Sequence, residues 1–260
     1  MRAVAPVVFF SFAAAQLVAL VAGAIFIGAQ LSVVENPGDV ANSFWFFAYI
    51  VVSAVVILAV LKYYKGRNLF YALELLLAFF TVQLFAALFI GDLNAVGVGV
   101  AAVALRLLLP QTKSLFLFFS SATVGALLGA SLDPLPAVVL ALLLAGYDYY
   151  AVFISKHMIT MAKQLSKRNA GFSVTMQQDK ETLELGTGDI VIPAMITVSA
   201  LKISLHAAVA AFAGSLVGVL VLFYLLEMRR GYWPALPPLA GSSLVFLGGF
   251  LVLRMLGVGV

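Results

Sequence analysis

The sequence predicts an all-α polytopic membrane protein, a single domain (1–260) built from nine transmembrane helices. Three observations carry that prediction. Of 260 residues, 64% are apolar and only 10% are charged, against roughly 45–50% and about 25% in soluble domains. The mean hydropathy is +1.13. The apolar runs are long and lack the alternation of barrel strands, and only helices or closed barrels satisfy backbone groups in lipid. A disordered chain, a nucleic-acid module and an ordinary cytosolic enzyme are excluded. The net charge of +4 fits basic loops on one side of a bilayer rather than nucleic acid. Without cysteine there are no disulfides and no thiol chemistry. Two histidines and no cysteine leave little material for a Cys/His metal site, while a carboxylate-only site stays open.

Charged residues divide the apolar runs in order. The first, 4–34, is too long for a cleaved signal peptide and reads as a retained signal anchor; it stops at Glu35 and Asp39. The second, 44–61, and the third, 69–90, are separated by Lys62, Lys65 and Arg67. Asp92 precedes the fourth, 95–109, and Arg106 and Lys113 bound its junction with the fifth, 115–131. Asp133 precedes the sixth, 137–154, which ends at the one long loop, 155–188. The seventh, 189–204, and eighth, 205–226, are parted only around Lys202 and His206; Arg229 and Arg230 lie before the ninth, 239–256.

With the N-terminus in the cytoplasm and nine crossings, thirteen of the 15 Lys and Arg face inward, leaving only Lys202 and Arg254 outside. That positive-inside bias supports the count and puts the C-terminus outside. Helices 1–6 then occupy 1–154, a cytoplasmic loop 155–188, and helices 7–9 189–260. The loop reads either as a solvated linker or as a lid at the substrate entrance.

Acids inside membrane helices are costly and are functional candidates by default. Glu74, Asp148 and Asp189 qualify. Asp148, eleven residues into a helix running inward, lies roughly 10 Å from the inner edge. Asp189 opens a helix running the other way, so both fall in the cytoplasmic third. Two carboxylates at one depth suit acid–base hydrolysis: one takes a proton from water while the other gives one to the substrate carbonyl, and close like charges share a single proton. Glu74 shares that depth and reads as a structural hydrogen-bonding group or a tuner of the pair. Gly186-Thr187-Gly188-Asp189 allows unusual backbone angles and close approach, and Pro193 deprives the Asp189 carbonyl of its helical donor. Three prolines within Pro234-Ala235-Leu236-Pro237-Pro238 predict an extended segment whose Ala235 and Leu236 amides are free; Tyr232 and Trp233 read alternatively as interfacial anchors of a plain helix entry. Residues 182–187 look extended too. Either edge could hold an unwound substrate as an added strand.

Tyr147-Asp148, Gly186-Thr187-Gly188-Asp189 and Pro234-Ala235-Leu236, on the sixth, seventh and ninth helices, resemble in order the YD, GxGD and PAL motifs of presenilins and signal peptide peptidases. The resemblance implies a GxGD-type intramembrane aspartyl protease that hydrolyses peptide bonds within transmembrane helices, with water as nucleophile and no metal or organic cofactor. It implies Asp148 and Asp189 as the catalytic pair. It assigns Tyr147, Gly186, Thr187, Gly188, Pro234, Ala235 and Leu236 to shaping the site or binding substrate. Type IV prepilin peptidases share GxGD but lack PAL and fit less well. The charge partition matches the presenilin orientation, with substrates whose N-terminus is outside. The absence of an Asn-x-Ser/Thr sequon leans towards a microbial, archaeal homologue in a plasma membrane. The expected partners are transmembrane-helix proteins and the bilayer, with no nucleic acid; oligomeric state, accessory subunits, the natural substrate and its cleavage position are not legible. The rival class is an ion- or proton-coupled transporter or channel, since paired acids also relay protons, but no related halves are visible.

Overall fold

The structure, a computed structural model, describes residues 4–64, 68–155, 173–178, 181–228 and 233–257. Nine α-helices lie among them: α1 Val4–Gly28, α2 Ala41–Tyr63, α3 Asn68–Ile90, α4 Asp92–Leu108, α5 Lys113–Ser131, α6 Pro134–Tyr149, α7 Thr187–Leu201, α8 Leu205–Met228 and α9 Leu236–Met255. A 3₁₀ turn, Pro110–Thr112, leads into α5, and a π-turn, Tyr150–Ile154, extends α6. Seven spans are long and apolar enough to cross a membrane. The exceptions are α4, with 17 residues, and α7, with 15; at 1.5 Å per residue they reach only about 26 and 23 Å.

Close contacts fix the helix directions. Along α5 and α7, Gly125 meets Val191 and Ala194, and Gly129 meets Met195, Val198 and Ser199, so the two run parallel. Gln16 reaches Ile190 and Gly23 meets Val198, which makes α1 parallel to α7. Conversely, Glu74 pairs with Arg106 while Gly99 meets Phe79, so α3 and α4 are antiparallel. Gly218 against Leu239 and Gly214 against Ser243 make α8 and α9 antiparallel. Odd helices parallel to odd and antiparallel to even is the pattern that alternating crossings require.

α7 is the centre. Residues 190 and 192–200 are all buried, split between two apolar clusters: one mainly with α1 and α5, joined by Val219 of α8 and Leu239 of α9, the other with α6, α8 and α9. A helix apolar on every side belongs inside. Small residues bring its neighbours close, as lipid-embedded packing demands: a Cβ on Gly125 or Gly129 would lie 2.7 Å from the Val191 carbonyl or 2.6 Å from that of Met195. α8 meets α9 the same way through Gly214 and Gly218, whereas Gly241, Gly248 and Gly249 of α9 face open space.

One expected boundary moves. The first apolar run stops being helical at Gly28, because Gln30 turns with φ 54° and Val33 N–H donates to Ser131 Oγ at 3.0 Å. The tail becomes a loop, also held by Asp133 N–H on the Pro37 carbonyl at 2.9 Å. The break between the seventh and eighth helices falls at 202–204, as expected. There Lys202 does not extend away from the protein: Nζ pairs with Asp133 Oδ1 at 3.0 Å and donates to the Leu132 carbonyl at 3.1 Å. Within the predicted loop 155–188, Ser173–Gln178 (β1) and Glu181–Gly186 (β2) pair antiparallel, from Ser173 opposite Gly186 to Gln178 opposite Glu181. The hairpin contacts α1 and α5 and runs directly into α7. Residues 156–172, His157 among them, and 179–180 of that loop lie outside the described residues.

Candidate active site

Asp148 sits in the last turn of α6, 8% exposed. Its Oδ2 accepts a hydrogen bond from the Leu236 amide at 3.1 Å. Leu236 is the first residue of α9, and the first amides of any helix lack an intrahelical partner. The acid of one helix therefore satisfies the orphan donor of another. This corrects two expectations. Pro237 and Pro238 do not hold the segment extended; they fall in the first turn of α9, where a missing N–H costs nothing, and among the described residues Trp233 and Pro234, with a bend at Ala235, lead into the helix. Nor is the Leu236 amide free for substrate. Trp233 packs edge-on against Phe153 of the π-turn, centroids 5.4 Å apart, which ties the start of α9 to the end of α6. Pro234 is buried and Ala235 half-buried.

Asp189 is the third residue of α7. Its Oδ2 accepts from the Gly186 amide at 3.1 Å. This is one half of a capping box; glycine has no side-chain oxygen to return the other half. The need for glycine at 186 is space: its φ is −65°, open to any residue, but a Cβ would sit 3.0 Å from Asp189 Oδ2. Gly188 has open space around its Cβ position, and nothing in the structure explains it. Thr187, half-buried, opens α7. Pro193 lies inside α7.

α6 and α7 pack against each other and share one apolar cluster with Leu236, which brings Asp148 and Asp189 within electrostatic reach. Among the described residues neither forms a salt bridge, and the only hydrogen bond to each is its backbone amide. One oxygen of each carboxyl, Oδ1, carries no hydrogen bond among the described residues. Tyr147 packs edge-on against Phe47 of α2, centroids 6.1 Å apart.

Glu74 is elsewhere. Its Oε1 accepts from Arg106 Nε at 2.9 Å and pairs with Nη2 at 2.8 Å, with Lys113 Nζ 3.8 Å from Oε2. Arg106 also donates to the Pro110 carbonyl and stacks over Tyr71. Of its two sequence readings, the structural one fits.

A family model described as signal-peptide peptidase, presenilin aspartyl protease matches residues 9–256. No curated protein matches the chain. Two solved structures of a presenilin family intramembrane aspartate protease are similar. The one in space group P2 has a TM-score of 0.68 and 26% identity, covering 93% of this chain and 96% of that one. The one in C222 has a TM-score of 0.70 and 26% identity, covering 94% and 97%.

Proposed function

Because the chain belongs to the signal-peptide peptidase and presenilin family of aspartyl proteases, an integral multi-pass intramembrane protease, we propose that Asp148 and Asp189 are its catalytic pair. One observation carries this reading: α6 and α7 pack together and set two membrane-level carboxyls within electrostatic reach, with no cation between them among the described residues, and each accepts from a backbone amide at a helix start. Nothing observed favours a transporter.

The chemistry needs one carboxyl ionised and one protonated. The ionised carboxylate takes a proton from water as the water oxygen bonds to the scissile carbonyl carbon. The protonated carboxyl gives its proton to the carbonyl oxygen. In the resulting gem-diol the roles reverse: the newly protonated acid protonates the amide nitrogen, the other withdraws a hydroxyl proton, and the C–N bond breaks. The pair ends with one proton, as it began, and activity follows a bell-shaped pH profile.

A transmembrane helix hides its peptide bonds until it opens, and opening in lipid strands backbone groups at several kcal/mol each. β2 runs straight into the turn that carries Asp189, and we assign the hairpin edge as the strand to which an unwound substrate adds. The segment 234–236 serves instead to aim Asp148. The protein crosses nine times, with the N-terminus cytoplasmic and the C-terminus outside, in a microbial plasma membrane, and takes substrates whose N-terminus is outside. Thr187, Gly188 and Tyr147 border the substrate. The test is cleavage of a transmembrane peptide in proteoliposomes by the parent and by Asp148→Asn and Asp189→Asn. Both variants should bind peptide without turnover; substantial turnover in either overturns the assignment. Cysteine labelling checks the topology in a chain with no native cysteine: positions 92 and 133 should react from outside and positions 65 and 168 only from inside.

A further inference from the structure

A buried polar side chain beside the site belongs to none of the motifs. Gln16 lies midway along α1 and is 0% exposed, on the apolar face formed by Phe12, Ala15 and Ala19. Its Nε2 donates to the Ile190 carbonyl at 3.3 Å. A carbonyl only accepts, so the nitrogen end of the amide must face α7, and Oε1 is left buried without a partner. A half-satisfied buried amide costs stability that a methionine or leucine of similar volume would not.

Ile190 follows Asp189 in the turn that Pro193 weakens. Pro193 has no N–H for the Asp189 carbonyl, and its ring crowds that same carbonyl. The turn bearing the acid is therefore poorly supported from within α7, and Gln16 ties it to α1 from outside. Seven residues further along the same face, a Cβ on Gly23 would overlap Val198. α1 is thus locked against α7 at two levels.

We propose that Gln16 is a positioning residue: through the Ile190 carbonyl it holds the first turn of α7 so that Asp189 meets Asp148. The inference rests on the assignment of that pair. Gln16→Met keeps length and removes the amide. It should leave Tm unchanged or raised, lower kcat about tenfold, the worth of one hydrogen bond, and leave KM unchanged. Gln16→Leu should give the same split. Ala19→Gly, which thins the same face one turn away, should lower Tm and spare kcat. Full kcat in both Gln16 variants overturns the proposal. So does a kcat loss that tracks a Tm loss and is reproduced by Ala19→Gly, since packing alone would then explain it. Asp189→Asn assayed alongside separates the two ideas: if it is active the pair assignment fails, and if it is dead while Gln16→Met keeps full kcat, only the role of Gln16 fails.

Discussion

Glu74 and Asp148 are buried almost equally, 6% and 8% exposed, yet they are held in opposite ways. Glu74 accepts from a guanidinium fork and has a lysine nearby. Its oxygens are committed, and removing a partner would leave a buried charge alone. Asp148 has a single backbone amide and a second carboxyl, that of Asp189, within reach of its charge. A carboxyl matched by cations fastens helices together; a carboxyl matched by another carboxyl has oxygens to offer a water. Intramembrane depth alone, which the two share in the sequence, does not separate these roles. The partner does.

Substitution should break the comparison cleanly. Asparagine at 148 or 189 should cost at least about 10³-fold in turnover, within the range of lost acid–base catalysis, with little change in Tm. Gln at 74 should do the reverse: Tm falls, by the equivalent of about 3–5 kcal/mol for a broken buried pair, while kcat of the folded protein holds. Thermal unfolding in detergent and a peptide-cleavage assay read both. Next in size, Leu236→Pro deletes the amide on Asp148 and should lower kcat about 10- to 100-fold, the worth of a bond to a charged group. Proline at 236 also presses Ala235 out of its helical angles. Leu236→Ala keeps the amide and should lose stability rather than kcat, because the side chain is buried. A larger kcat loss in the alanine variant would mean that packing, not the amide, aims Asp148. Smallest, Gly129→Ala forces a methyl against the Met195 carbonyl and should cost about 1–3 kcal/mol of stability, with a modest kcat loss from a displaced α7.

Much of this was legible beforehand. Apolar runs divided by charge located the nine helices, and the acids stood out because so few charges interrupt those runs. The three motifs led to both aspartates. What the sequence hid was set by tertiary partners. Residues 29–34 remain mostly apolar, and only Ser131 and the turn at Gln30 show why α1 ends at Gly28. Prolines after Leu236 fit an extended strand or a first helical turn equally well until the Asp148 bond is seen. Gln16 left a trace, a lone amide inside a 25-residue apolar helix, but its partner lies 174 residues away.

The central claim is that Asp148 and Asp189 act as one unit sharing one proton. The most direct measurement compares turnover of a transmembrane peptide by Asp148→Asn, Asp189→Asn and the double variant, with Tm matched. Groups that act as a unit are non-additive, so each single variant should fall to the level of the double. A single variant that retains substantial turnover, or losses that multiply in the double, would contradict a shared two-carboxyl centre.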